Sequence, residues 1–219
     1  RQYILENDWL DAIVQLSTDQ FMNTGISTYI WVLCKDKPAY RCGKVQLIDA
    51  SHCYEQRRKA IGTKRNDISD HCRELIVQAY GEYRNNAVYG DKPGVYCESK
   101  IFGSEEFGYN KIVVERPQRD ENGEIVMKRG KPVADASLRD TENVPLVQDI
   151  DAYFAQEVLP YAPDAWIDKS KTKVGYEIPM TRYFYEYQPP EPVDDIVERI
   201  QKLEREITDS LNTLFHKEG

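Results

Sequence analysis

The residues of this 219-residue sequence best suited to chemistry are cations crowded into one stretch. Residues 35–65 hold nine lysines and arginines against three acids, although the formal net charge of the chain is −8. An acidic average argues against a dedicated nucleic-acid binder, but a phosphate backbone responds to the local field. Lys64 and Arg65 close the stretch just before an expected helix start. They could contact phosphates there; a solvated charged loop is the alternative. Five cysteines, Cys34, Cys42, Cys53, Cys72 and Cys97, are scattered without a C-x-x-C pair, which fits free thiols in a reducing, cytoplasmic setting. His52-Cys53 and His71-Cys72 are neighbours in sequence, but adjacent side chains diverge on a strand or helix, so no metal site is assigned. The three histidines allow no Ser-His-Asp or Cys-His arrangement.

The elements that must position these residues read as follows. Residues 2–11 have a helical apolar face (Ile4, Leu5, Trp9, Leu10), and a chain that opens at Arg1 within a helix reads as part of a longer polypeptide. Ala12–Leu16 and Tyr29–Cys34 are near-continuous apolar runs and are expected as buried strands, with Ser17–Gln20 a break. Between them Phe21-Met-Asn-Thr-Gly forms a polar turn that opens into the second strand. Gly43–Asp49 is a third strand, so helix, strand, loop, strand, turn and strand resemble the closing end of an α/β sheet. Arg57–Lys64 is a basic segment broken at Gly62. Asp67 or Ser69 caps a helix running to about Tyr83, and Asn85–Gly94 reads as a polar linker. Tyr109–Glu115 is a strand, Arg119–Glu124 a turn, residues 125–145 mixed, and Asp149–Leu159 a helix. Tyr176–Ile178 and Arg182–Tyr187 read as short extended pieces. Gln188-Pro-Pro-Glu-Pro192 is a rigid linker that places Pro192 at the start of a last helix. Ile196, Ile200, Leu203, Ile207, Leu211 and Leu214 recur at steps of 4, 3, 4, 4 and 3. They make a narrow apolar seam of about three heptads. No apolar run reaches membrane-spanning length.

Several short pieces occur in an order that resembles a known family. They are Phe21-Met-Asn-Thr-Gly-Ile-Ser-Thr-Tyr-Ile-Trp-Val-Leu33, Gly43-Lys-Val-Gln-Leu-Ile-Asp-Ala50, Gly62-Thr-Lys-Arg65, Phe107-Gly-Tyr109, Val114-Glu-Arg-Pro117, Leu138-Arg-Asp-Thr-Glu-Asn-Val-Pro-Leu146, Asp164-Ala-Trp-Ile-Asp168 and Val174-Gly-Tyr-Glu-Ile-Pro179. Each is weak alone; together they are similar to the C-terminal part of the modification (methylation) subunit of type I restriction-modification systems, an adenine-N6 DNA methyltransferase. The resemblance implies residues 1–60 as the closing end of a Rossmann-like methyltransferase sheet, 61–188 as an α+β region, and 189–219 as a proline linker with a coiled-coil-like helix.

It also implies chemistry. The family holds S-adenosylmethionine on a Gly-rich loop and fixes the extruded adenine with an Asn/Asp-Pro-Pro-aromatic motif. Neither is present in this sequence, where the Pro-Pro pair follows Gln188. No catalytic residue is therefore assigned, and S-adenosylmethionine is expected to bind the complete enzyme and not this chain alone. What the resemblance leaves here is the rim of the base pocket. Phe21 would pack on the flipped base, with Asn23, Thr24 and Gly25 shaping the loop. The residues alone favour Phe21 as a core plug beside a plain turn; the resemblance brings the pocket reading level with it. The implied partners are double-stranded DNA, the specificity subunit, a second methylation subunit and the restriction subunit. The C-terminal seam would join the specificity subunit's helices, or else fold back on its own domain. A rival class stays open: a non-enzymatic interaction module built on an α/β platform with a coiled-coil helix.

Overall fold

The computed structural model describes residues 1–187 and 189–215, except for the side chains of Leu214 and Phe215. The chain separates into two units, Arg1–Tyr183 and Phe184–Gly219. It is a mixed α/β protein with a C-terminal helix. No helix among the described residues is long and apolar enough to cross a membrane.

The first unit begins with α1 (Gln2–Glu6), β1 (Leu10–Leu16), β2 (Tyr29–Leu33) and β3 (Lys44–Ala50). A hairpin of β4 (Glu55–Ile61) and β5 (Lys64–Asp67) follows, then α2 (Asp70–Glu82), β6 (Ala87–Lys92) and β7 (Val95–Gly103). Five of these strands form one sheet in the order β2-β1-β3-β7-β6. β1 and β3 run parallel; the other neighbours are antiparallel. β1 and β3 are buried along most of their length, as central strands of apolar sequence should be. α2 lies on the sheet through Cys72, Leu75 and Ala79, spaced by three and four, against Val14, Leu16, Ile48, Tyr89 and Cys97. Ser69 caps it by accepting from the Cys72 N–H at 3.3 Å, and Tyr83 ends it in the left-handed conformation.

A second sheet is built on β8 (Gly108–Glu115). A small hairpin of β9 (Met127–Lys128) and β10 (Lys131–Pro132) precedes β11 (Asp140–Pro145), which pairs antiparallel with β8. α3 (Ile150–Tyr153) continues as a π-helical turn to Val158, and Asp149 caps it. β12 (Trp166–Ile167) and β13 (Lys173–Tyr176) then take the other edge of β8. Ile112, Val114, Val144 and Phe154 form its core. Gly175 sits opposite Tyr109, whose ring occupies the space a Cβ would need, 2.5 Å from Cζ. α4 (Met180–Phe184) follows, and α5 (Val193–Phe215) is the last helix.

Several sequence expectations need correction. The first helix stops at Glu6 because Asp8 turns left-handed (φ 54°), and Leu10 already belongs to a strand. β2 is a strand as expected, but it is the exposed edge of its sheet, so its apolar run does not report burial. Arg57–Lys64 is a hairpin around Gly62. The expected linker 85–94 contains β6. β7, with polar Ser99 and charged residues in its run, was invisible as a strand. Arg182–Phe184 are helical rather than extended. Pro192 stands one residue before α5, where its carbonyl accepts from the Ile196 N–H at 3.3 Å; Gln188 of the proline linker lies outside the described residues.

Candidate functional site

The Phe21 loop is built from the backbone outward. Ser17 and Gln20 are buried, and Gln20 Nε2 donates to Ser17 Oγ, which fixes the exit from β1. Asp19 adopts the left-handed conformation (φ 56°) and so aims its carbonyl at β5. That oxygen accepts from the N–H groups of Arg65 (3.0 Å) and Asn66 (3.2 Å), and Asn66 Nδ2 donates to the Thr18 carbonyl at 2.9 Å. These hydrogen bonds tie the root of the loop to the basic hairpin, a junction between segments more than forty residues apart in sequence.

Beyond that root, Phe21 and Thr24 pair in an antiparallel bridge, with Asn23 at the tip in the left-handed conformation (φ 62°). Asn tolerates that conformation better than most residues. Gly25 faces the Asp19 carboxylate, which would lie 3.4 Å from an added Cβ. A Cβ added to Gly62, at the turn of β4–β5, would lie 3.9 Å from Asn23 Oδ1, so the tips of loop and hairpin approach each other. Phe21 is 52 % exposed, with Met22 and Ile26 exposed beside it. The ring is therefore not a core plug.

The hairpin carries five bases against two acids. Lys64 and Arg57 share Asp67, with Lys64 Nζ 2.8 Å from Oδ1. The Lys64 ammonium, then Arg57, hold the Asp67 carboxyl below its usual range. Arg65 is exposed and, among the described residues, meets no carboxylate; the same is true of Arg58 and Lys59 on β4. Of the two cations singled out in the sequence, Arg65 is the freer. Arg58 and Lys59 were counted in the basic segment but not placed at a site, because nothing in Glu-Gln-Arg-Arg-Lys-Ala-Ile shows the period of a strand.

A family comparison covers the loop and hairpin together. Residues 1–109 match the family model described as N-6 DNA methylase. This part of the chain is similar to the N-6 DNA methylase family. The methylase part is also similar to the type I restriction enzyme MjaVIII methylase subunit of Methanocaldococcus jannaschii, 33 % identical over 85 residues, 39 % of this chain and 14 % of that one. It is 37 % identical over 80 residues to the MjaIX methylase subunit of the same organism, 36 % of this chain and 14 % of the relative. The aligned stretch spans about a seventh of the length of these curated relatives. A crystal structure of a type I restriction-modification methyltransferase subunit from Streptococcus thermophilus aligns with 24 % identity and a TM-score of 0.37, covering 48 % of this chain and 19 % of that chain.

The C-terminal helix lies beyond the matched residues in sequence. Ile200, Leu203, Ile207 and Leu211 of its seam are exposed and Ile196 is half-buried; the Leu214 side chain lies outside the described residues. Within α5 the seam forms a line along one face, with Asp194, Asp195 and the other charges around it.

Proposed function

We propose that this chain is the C-terminal part of a type I restriction-modification methylation subunit, whose complete form transfers a methyl group from S-adenosylmethionine to adenine N6 in double-stranded DNA. The observation that carries the reading is Phe21. Within the part that matches the methylase family, an aromatic ring is held in the open on a loop whose root is hydrogen-bonded to a basic hairpin. In this reading Phe21 stacks on the extruded base and offsets part of the cost of unstacking it. Asn23, Thr24 and Gly25 set the loop's course. Lys64 and Arg65 meet backbone phosphates, so duplex binding at the hairpin also positions the base loop.

Residues 1–60 then supply the closing end of a Rossmann-like sheet, 61–188 an α+β region, and 189–219 the assembly helix. Support for a sheet that continues elsewhere comes from β2. Among the described residues its outer edge is unpaired, and Tyr29, Ile30, Trp31 and Leu33 are exposed on both its faces. The connection from β5 into α2, Ile68-Ser69, has no glycine, so the described residues do not fit a Gly-rich cradle for S-adenosylmethionine. We route no step through that cofactor in this chain, and the chain alone is inactive in this reading.

The test is Phe21→Ala in the complete subunit, assembled with its partners. Turnover on duplex DNA should fall about 5- to 150-fold, in line with the loss of ~1–3 kcal/mol of stacking, while S-adenosylmethionine affinity stays the same. Unchanged turnover would remove Phe21 from the site. The seam of α5 favours docking onto helices of the specificity subunit, in a complex with a second methylation subunit and the restriction subunit. Removal of residues 190–219 should abolish co-purification with the specificity subunit while circular dichroism of the remainder stays native; normal co-purification would refute the docking role.

A further inference from the structure

Residues 116–135 fold as a forked hairpin. The Asp135 N–H donates to the Arg116 carbonyl at 2.9 Å and Pro117 pairs with Ala134, which makes the stem. At the fork, the Gln118 N–H donates to Val133 O (2.7 Å) and its carbonyl accepts from Val126 N (2.9 Å). One arm closes through the Arg119–Ile125 bridge over an acidic turn, where the Asp120 carboxylate accepts from the N–H groups of Asn122 and Glu124. Arg119 ties that arm to Asp164 at 2.9 Å. The other arm is β9–β10, with the turn Lys128-Arg129-Gly130-Lys131.

The basic arm breaks two local rules at once. Lys128 and Lys131 are direct cross-strand partners, a like-charge pair that destabilises a hairpin. Arg129 (φ 52°) and Gly130 (φ 75°) make a two-residue turn with both residues left-handed, where Asn-Gly or Asp-Gly would be favoured and Arg is strained. All three cations are exposed, and among the described residues none has a carboxylate within ion-pair distance, not even from the acidic arm of the same fork. Around the second sheet Arg116, Arg119, Arg139 and Lys171 are paired, so the turn shares its lack of a carboxylate with Arg58, Lys59 and Arg65 of the β4–β5 hairpin and not with its own neighbours. A turn that is less stable than its neutral alternative, and whose charge nothing nearby balances, fits an external polyanion.

We propose that the Lys128–Lys131 turn is a further contact to the phosphate backbone of duplex DNA, separate from the Phe21 loop and its hairpin. This inference rests on the reading that the protein works on DNA. A regularly spaced array of phosphodiesters suits three cations gathered at the end of one hairpin, and the contact reads charge rather than sequence. Arg129 at the apex offers a planar fork to a phosphate, with the lysines as flanking point charges.

The experiment is fluorescence anisotropy of a labelled 30-base-pair duplex with the full chain across a salt series. Removing one cation that neutralises a phosphate should lower the slope of log affinity against log salt by about 0.9. K128Q/R129N/K131Q should lower it by up to about three such steps and R129N by about one. R129N also relieves the left-handed strain, so its melting temperature should match or exceed that of the parent. K64Q/R65Q serves as the comparison. If that pair lowers the slope and the triple variant does not, the inference fails and the proposed function stands. No duplex binding by the parent chain at 20 mM salt overturns the inference; the proposed function concerns the complete enzyme and is judged by Phe21→Ala. Loss of binding to polyglutamate in the triple variant, with the DNA slope unchanged, assigns the turn to an acidic protein instead and also overturns the inference.

Discussion

The two sheets each bury a charge at their heart, and they do so in opposite ways. In the first sheet Arg41 is enclosed. Its Nη1 donates to Asp11 Oδ2 at 3.0 Å, its Nη2 donates to the Tyr80 carbonyl, and its guanidinium lies over Tyr83 at 4.0 Å and Tyr80 at 4.5 Å. Both partners of the ion pair are at least 95 % buried. Gln46 extends the network from Ala79 O (2.7 Å) to Ser99 Oγ (2.8 Å), so β1, β3, β7 and the carbonyl end of α2 meet in one polar cluster. A cation at a helix C-terminus is also favoured by the helix dipole. In the second sheet Glu115 is buried, but Arg139 and Lys171, which pair with it at 2.8 Å each, are 41 % and 45 % exposed. The first cluster is sealed from water and salt; the second opens onto them. A sealed cluster rigidifies the strand from which the Phe21 loop departs, whereas the open one leaves the second sheet responsive to its solvent.

The sharpest way to break that contrast is Arg41→Ala. It strands the Asp11 carboxylate, whose Oδ1 already has no hydrogen-bond partner, with only the Tyr80 hydroxyl at 2.6 Å. A loss of about 3–5 kcal/mol is expected in urea unfolding. The double change Arg41→Met with Asp11→Leu should recover most of it, because the uncompensated charge goes with its partner. If Arg41→Ala costs under ~1 kcal/mol, water reaches the cluster and the contrast disappears.

Glu115→Ala is expected to cost less, about 1–3 kcal/mol for a lost charge-assisted hydrogen bond, since both cations it abandons can be hydrated. Its effect should shrink as salt rises, whereas that of Arg41→Ala should not. The smallest expected effect is with pH. Burial pushes the Glu115 carboxyl up, but the hydrogen bonds from Arg139 and Lys171 outweigh it and the net direction is down. A depressed acid stabilises the fold above the unfolded value of about 4.3, and that stability is lost as pH falls through the folded value. Thermal melts between pH 6 and pH 3 should therefore show a steeper decline for the parent than for Glu115→Ala. Parallel curves would mean that the pair contributes nothing to acid sensitivity.

The legible parts of this fold were those whose side chains follow one physical rule. β1 and β3 are largely apolar runs, α2 and α5 repeat their apolar residues at helical spacing, and Ser69 announces its helix. The illegible parts follow two rules at once. β7 places Ser99 in the interior because Gln46 needs a partner there, so the run Val-Tyr-Cys-Glu-Ser-Lys-Ile-Phe reads as polar. The β4 residues Gln56–Ala60 are polar or small because the hairpin faces water on both sides. Asp8, Asp19 and Asn23 reverse the chain through left-handed backbone that their short polar side chains tolerate, which is visible only as a permission and not as a demand. Phe21 was legible as a candidate, but its exposure was not. That depends on the turn at Asn23 and on the tie between Asp19 and Arg65, a contact that sequence spacing does not reveal.

The open edge of β2 has a consequence for how the chain behaves before any partner is met. Tyr29–Leu33 holds no charge and no proline, the features that usually keep a free edge from recruiting a strand. Five residues of aromatic and β-branched character with unpaired amides make a template for a second copy. The chain by itself thus carries a concentration-dependent hazard during synthesis and refolding, and any segment that hydrogen-bonds to β2 acts as its chaperone.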